Sequence, residues 1–318
     1  MKIHKDKLVI FGSRSIIIPL VLLTLAFLMG SCDQKPVETI AQGNETPLAT
    51  LTPLHPSPSV TPTPNPTITP TLQLIDSDLV YAVVGLFPEQ TLPIYLEPSL
   101  TAGISGEIPS TGISIRTTGI EINADNITWL QIEYQGSAGW LDQSYLARQF
   151  GDVDEEVISL AQTVAAALKE ADYDRLRTKV HPDSCLRFSP YPSLRSIDLT
   201  FCPDRLADLP GSSTLYTWGN YDGSGEPIML TFDEYHQRFV YDQDFFQPEV
   251  VGFNQEVSSG NAINNIPEIY PDGMIVEYHF PGFDPQYGGM DWRSLRMVFI
   301  KEYGVWYLVA LIHGEWTI

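Results

Sequence analysis

Two pairs of His and Glu near the end of the chain have the residue types and the spacing that favour chemistry. Glu277 and His279 stand two positions apart, as do His313 and Glu315. Imidazole and carboxylate groups exchange protons near neutral pH, and both also bind metal ions. Together with Arg296, these groups would line a pocket suited to a hydrolase or to a small-ligand-binding protein.

Alternation along three predicted strands decides whether these side chains meet. The first His–Glu pair shares a face of the strand 274–280, and the second pair shares a face of the strand 305–316. Arg296 lies in the strand 294–303, which a hairpin turn joins to the last strand. If the strands are neighbours the five groups converge; the alternative is a satisfied polar network on a partly hydrated sheet. No H-E-x-x-H spacing supports a metal site, and we expect no cofactor.

Two other patterns favour structure over chemistry. Residues 220–226 alternate oxygen-bearing side chains with glycine, as the start of a calcium loop does, but Thr231 occupies the twelfth position, where such a loop needs a bidentate Glu. A tight glycine turn is therefore the favoured interpretation, with calcium as the alternative. The aromatic residues of 232–246 partly follow helical spacing, so we expect them in a core rather than on a carbohydrate platform.

The C-terminal half must position these residues, and its pattern predicts helices first and strands last. Asp152–Glu155 has a capping-box pattern that begins a helix, Asp172 can cap a second helix, and Thr231 begins a third. The strands 250–253, 274–280, 294–303 and 305–316 follow. This order predicts an α+β domain over residues 151–318, with helices on one face of a curved antiparallel sheet.

That element order is similar to the nuclear-transport-factor-2-like cone. The local sequence also resembles a domain recurrent in uncharacterised bacterial lipoproteins. The resemblance lies in Val276–Phe280, Gly289–Arg296 and the final Trp-containing strand. Neither resemblance implies an activity, because one fold carries many functions.

Residues 73–150 read as a small β-barrel, since short apolar runs alternate with Gly, Pro, Asn and Asp turns. The ending, with Trp129 to Tyr134, Gly136, Gly139-Trp140 and Tyr145-Leu146, resembles the bacterial SH3-type domain. The resemblance implies an SH3-like barrel that binds wall peptides or other surface ligands. Core packing is the favoured role of Trp129 and Trp140, while Tyr95 and Tyr134 are the candidates for a ligand-binding groove.

The first 31 residues favour export. A basic start leads into a 14-residue apolar run at 16–29, which is too short for a hydrocarbon core of about 30 Å. Leu28, Gly30, Ser31 and Cys32 then resemble the lipobox of bacterial lipoproteins. The resemblance implies a diacylglyceryl thioether on Cys32, cleavage before it and acylation of the new amine. An ordinary N-terminal anchor with an incidental cysteine is the alternative.

A linker would follow the lipidated Cys32. Residues 33–72 contain nine Pro and nine Thr and no aromatic residue, so they cannot bury a core and favour extended conformers. We therefore interpret residues 32–72 as the lipidated cysteine and a stalk that lifts the folded part away from the membrane. Pro-x-x-Pro ligand motifs are the alternative.

The remaining cysteines and the charge fit an extracytoplasmic location. Cys185 and Cys202 lie 17 positions apart, and in an exported domain two thiols favour a disulfide over two separate buried thiols. The net charge is −21; the first 31 residues carry +3, which leaves −24 for the rest. Such a charge repels phosphate backbones and anionic lipids, which excludes nucleic acid as a partner and favours a covalent lipid as the membrane contact.

Together these features predict a membrane-anchored envelope lipoprotein with an SH3-like barrel followed by an α+β domain. We expect a binding protein rather than an enzyme, docked on cell-wall peptide, peptidoglycan or a surface protein. The alternative is the hydrolase or small-ligand protein with the His/Glu-lined pocket. The protein would face the cell surface or the periplasm.

Overall fold

The computed structural model describes residues 71–258 and 260–317. The predicted signal peptide 1–31, the lipidation site Cys32 and the stalk up to residue 70 lie outside the described residues. In the part that is described, no helix is long and apolar enough to cross a membrane.

Strands outnumber helices in the described chain. The strands are β1 Thr71–Leu74, β2 Val80–Val83, β3 Thr91–Tyr95, β4 Ile104–Pro109, β5 Ile115–Ala124, β6 Ile127–Tyr134, β7 Ser137–Asp142, β8 Leu146–Phe150, β9 Leu186–Ser189, β10 Thr200–Phe201, β11 Tyr216–Asn220, β12 Pro227–Leu230, β13 Val250–Phe253, β14 Met274–Phe280, β15 Arg293–Glu302 and β16 Val305–Glu315. The α-helices are α1 Glu155–Lys169, α2 Tyr173–Arg177, α3 Pro203–Leu206, α4 Phe232–Tyr235 and α5 Ile266–Ile269. A π-helical turn, His236–Val240, continues α4.

Fourteen of these strands form one mixed sheet, and this overturns the expected fold class. The order is β10-β9-β16-β15-β14-β13-β8-β2-β5-β6-β7-β3-β4, with β1 added on β5. The predicted SH3-like barrel followed by a separate helix-on-sheet domain is therefore wrong: strands from both halves belong to the same sheet. The strands β11 and β12 form a separate two-stranded sheet.

The continuity runs through β8. Its residue Arg148 pairs with Tyr81 of β2 in antiparallel register and with Val250 of β13 in parallel register. In a separate barrel, both edges of β8 would pair with strands of that barrel. Here one edge pairs with β2 and the other pairs with β13 of the C-terminal half. The sequence pattern gave no sign of this parallel pairing, because it joins residues about a hundred positions apart.

The helices are few and short, with one exception. The 15-residue α1 buries Val157, Ala161, Val164 and Leu168, which recur at the spacing expected for one helical face. It begins after Asp154. The other α-helices have four or five residues each.

Local signals for the shorter helices hold. The Asp172 side chain accepts the Arg175 backbone N–H at the start of α2. At α4, Thr231 and Glu234 form a reciprocal capping box. The turn at Tyr303-Gly304, in which both residues have positive φ, joins β15 to β16.

Three apolar clusters stabilise the described chain. The largest packs α1, α2, α4 and the π-turn against one face of β14–β16. The second lies on one face of β2–β7 and includes Leu130, Ile132 and Leu141. The third covers the opposite face of β15 and β16, where Leu194 and Ile266 pack on Val298 and Ile312. The sheet at β15–β16 is thus buried on both faces.

Candidate functional site

The predicted catalytic residues divide between the two faces of the C-terminal sheet. Glu277 pairs with Arg296 and His279 pairs with Ser294, so these four share one face. His313 pairs with the residue between Ser294 and Arg296, which places it on the opposite face. The expected convergence into one pocket therefore does not occur.

A β-bulge causes the separation. Near the hairpin turn, β15 and β16 pair as Phe299↔Leu308, but past the bulge Val298 pairs with Ala310. Val309 is the extra residue. Without it, alternation would have brought His313 opposite Ser294, on the Glu277 face; one inserted residue moves every later side chain of β16 to the other face.

On the first face, Glu277 is the centre of a buried polar network. Its carboxylate accepts hydrogen bonds from the Ser294 hydroxyl at 2.7 Å, from the Val257 backbone N–H at 3.1 Å and from the Ser258 hydroxyl. Arg296 Nη2 lies 3.1 Å from the same carboxylate and donates to the Ser258 hydroxyl at 2.5 Å. Each of these side chains is almost fully buried.

His279 completes this network as a neutral donor. Because the Ser294 hydroxyl donates to Glu277, the 2.8 Å contact between His279 Nδ1 and Ser294 Oγ requires Nδ1–H to donate. Burial lowers the pKa of His279, and the neighbouring Glu277 opposes that shift only in part. In a nucleophilic site the serine would donate to the histidine; here the direction is reversed, and Ser294 has no exposed surface.

On the second face, His313 and Arg293 both contact Asp242. The Asp242 Oδ2 atom lies 3.1 Å from His313 Nε2 and 2.9 Å from Arg293 Nε. Burial by itself raises the pKa of Asp242, but the hydrogen bond from His313 and the nearby positive charges outweigh it, so the pKa lies below its usual value. As the ionised carboxylate only accepts, His313 Nε2–H must donate.

Glu315 extends this second network toward solvent. Arg238 Nη2 donates to its carboxylate at 2.6 Å, and Arg293 Nη2 lies 3.4 Å from the other oxygen. The guanidinium of Arg238 also stacks 4.5 Å from the centre of the Phe239 ring. The His and Glu side chains of both faces thus make intramolecular contacts.

The two tyrosines proposed for a groove do not lie together. The Tyr95 ring meets the buried Trp129 edge-on, with ring centres 5.5 Å apart. Tyr134 packs instead against the second apolar cluster. Trp129 and Trp140 are both buried, although neither belongs to that cluster, because alternation places them on the other side of β6 and β7 from Leu130 and Leu141.

Tyr134 lines an open cleft of about 600 Å³ between the start of β5 and the β6–β7 turn. Arg116 and Glu133, which are exposed and paired across β5 and β6, contribute opposite charges to its rim. Burial raises the pKa of the Tyr134 hydroxyl, which therefore stays protonated at neutral pH. Both charged residues were missed from the sequence: Glu133 is adjacent to Tyr134 in the chain, whereas Arg116 comes near it only through the pairing of β5 with β6.

Among residues 71–258 and 260–317, no cluster of three or more His, Cys, Asp or Glu has the geometry to bind a metal ion. The segment 220–226 forms the turn between β11 and β12, where the Asn220 side-chain amide donates to the Gly225 carbonyl. Positive φ at Gly223 and Gly225 explains the glycines of this turn.

Comparisons with known proteins add little. No protein-family model matches the chain, and no curated protein matches it. A solved structure titled as a five-substitution variant of Rd1NTF2_05 is 13% identical; the match covers 48% of this chain and 91% of that chain, with a TM-score of 0.22. A similarity this low assigns no fold, so it does not restore the expected nuclear-transport-factor-2-like arrangement.

Proposed function

We propose that the protein is a lipid-anchored envelope protein that binds cell-wall peptide without catalysis. The cleft at Tyr134 carries the proposal. A half-buried aromatic ring beside an exposed cation and an exposed anion offers a peptide both apolar contact and complementary charge. Wall peptides carry free carboxylates and amines, so Arg116 and Glu133 match them in charge.

The location rests on residues outside the described part and on one feature inside it. The stretch Leu28–Cys32 supports lipid attachment and export, and the Pro/Thr-rich linker supports a stalk. Cys185 and Cys202 form a disulfide in the structure, with their Cα atoms 4.2 Å apart. Disulfides persist in oxidising, extracytoplasmic compartments, which supports the same location.

The non-catalytic part of the proposal rests on how the candidate catalytic groups are engaged. Glu277, His279 and Ser294 are each at most 6% exposed and bind one another. A hydrolase needs a nucleophile or base that reaches its substrate. These groups instead stabilise the sheet.

Co-sedimentation of the full chain with purified peptidoglycan tests the proposal. We expect retention, and we expect Tyr134→Ala to reduce the retained fraction at least about tenfold, since the lost ring contact is the main apolar contribution of the cleft. Tyr303→Asn is the matched control, because Tyr303 is 97% exposed in a turn whose positive φ suits Asn.

A second co-sedimentation distinguishes recognition of the peptide from recognition of the glycan. It uses peptidoglycan from which an amidase has removed the peptides. Equal retention on intact and stripped material would contradict peptide binding, and equal retention of Tyr134→Ala and the parent chain would exclude the cleft.

A further inference from the structure

A second cleft, of about 530 Å³, lies in the C-terminal half of the described chain. Three segments line it: the loop after β9, the turn between β11 and β12, and residues 261–263. None of these takes part in the two polar networks around Glu277 and Asp242 or in the cleft at Tyr134. Its volume falls within the range of small-molecule sites.

Hydrogen bonds hold the three segments in place. The Asn265 side chain makes two hydrogen bonds to the backbone of Leu194. Its Oδ1 accepts from the Leu194 N–H at 2.8 Å, and its Nδ2 donates to the Leu194 carbonyl at 3.0 Å. The Asp222 backbone N–H donates to the Tyr191 hydroxyl at 3.3 Å, which ties the turn to the loop. The Cys185–Cys202 disulfide closes the base of the same loop. The cleft is therefore preformed, which reduces the entropic cost of binding.

Arg195 supplies an available cation to this cleft. Within residues 71–258 and 260–317, no carboxylate lies within 4.0 Å of its guanidinium. The carboxylate of Asp198, in the same loop, accepts the backbone N–H of Arg195 at 2.8 Å instead.

The backbone opposite Arg195 makes room for its guanidinium. Gly219 has a φ of +127°, and a Cβ there would lie 2.5 Å from Arg195 Nη2. A larger residue at this position would displace the guanidinium. Gly219 thus lets Arg195 lie against the strand at the edge of the cleft.

Several other polar groups of the cleft can accept hydrogen bonds. The side-chain N–H groups of Asn220 and Asn261 donate to the Gly225 and Thr317 carbonyls. Their amide oxygens accept no hydrogen bond from the residues that the structure describes, and the Asp222 carboxylate is exposed beside them. The cleft therefore offers one cationic donor and several acceptors.

We propose that this cleft binds a small ligand that carries a carboxylate for Arg195 and N–H or O–H donors for Asn220, Asn261 and Asp222. A planar guanidinium binds a carboxylate through two charge-assisted hydrogen bonds. Both the free C-terminus of a peptide and a sugar acid have this chemistry. The site is independent of the wall-peptide cleft at Tyr134.

Calorimetric titration of the full chain in detergent tests the proposal with two matched ligand pairs. N-acetyl-alanyl-alanine is compared with its C-terminal amide, and glucuronate is compared with glucose. We expect the carboxylate of at least one pair to bind at least about tenfold more tightly than its neutral partner. The pair that responds identifies the source of the carboxylate.

Variants locate the binding. Arg195→Gln should lower the affinity for the responding carboxylate at least about tenfold, and Arg195→Lys, which keeps the charge without the planar fork, should lower it less. Arg205→Gln, an equal charge change on the exposed face of α3, should leave it unchanged. Thermal melting of each variant reports whether it folds.

Two outcomes overturn the proposal. One is that neither carboxylate binds at concentrations that saturate a millimolar site; the other is that Arg195→Gln and Arg205→Gln bind alike. Either result leaves the retention on peptidoglycan through Tyr134 unaffected, so the two proposals fail separately.

Discussion

Arg296 and Glu277 form an ion pair inside the C-terminal sheet, 3.1 Å apart, with side chains only 2% and 1% exposed. They are direct partners across β14 and β15, so strand register sets their contact. The hydroxyls of Ser258 and Ser294 supply the additional hydrogen bonds that a buried charge pair needs. The network also fastens residues 257–258 over the sheet.

Loss of one charge from this pair should destabilise the protein strongly. Arg296→Met leaves the Glu277 carboxylate buried without its cation, and we expect the free energy of unfolding to fall by about 3–5 kcal/mol. Urea unfolding followed by tryptophan fluorescence measures the change.

A double variant is the control for that prediction. Arg296→Met combined with Glu277→Leu removes both charges and should recover much of the lost stability, because no uncompensated charge remains. If the double variant is as unstable as the sum of the two single variants, the ion pair is not the source of the effect.

The lowered pKa of His279 predicts a pH dependence. Burial places the folded pKa below the unfolded value of about 6.5. Between those two values the unfolded chain binds a proton that the folded chain does not, so stability falls as the pH falls below about 6.5. The slope for one proton approaches at most about 1.4 kcal/mol per pH unit.

Unfolding free energies at several pH values between 7.5 and 5 measure this dependence. In His279→Asn, the free energy of unfolding should depend less steeply on pH. Part of the dependence should remain, because burial also lowers the pKa of His236. The carboxylates whose pKa values are lowered, Glu234, Asp242, Asp244 and Asp291, affect stability only at lower pH. An unchanged slope in His279→Asn would contradict the assignment.

Strand positions in the C-terminal half could be predicted from sequence, because each strand is a run of apolar and β-branched residues between turn residues. The predicted strands 250–253 and 274–280 coincide with β13 and β14. Capping at Asp172 and Thr231 was also readable, since a cap depends on residues within one helical turn.

The face of His313 could not be predicted. A bulge at Val309 depends on how β16 fits β15 and the apolar clusters on both sides, and nothing in the local pattern marks it. Alternation therefore gave the wrong face for His313 and Glu315. The continuous sheet could not be predicted either, because the pairing of β8 with β13 joins residues that are far apart in sequence.

Lipid attachment at Cys32 predicts that processing of the chain depends on this residue. In a bacterial host, the parent chain should incorporate a labelled fatty acid and lose residues 1–31, whereas Cys32→Ser should incorporate no comparable label and should keep residues 1–31. If the parent chain incorporates no label and keeps residues 1–31, the stretch before residue 32 is an ordinary anchor.

The disulfide should stabilise both the fold and the second cleft. Cys185 precedes β9 and Cys202 follows β10, so the bond closes the loop that carries Tyr191 and Arg195. Cys185→Ser combined with Cys202→Ser should lower the free energy of unfolding by about 3 kcal/mol, the chain-entropy value for a loop of this length. The parent chain treated with reductant should lose a similar amount, and hydrogen exchange should rise in residues 190–199 rather than at the Tyr134 cleft. Equal stability of the parent and the double variant would contradict this role, because a cross-link that restricts the unfolded chain should raise the free energy of unfolding.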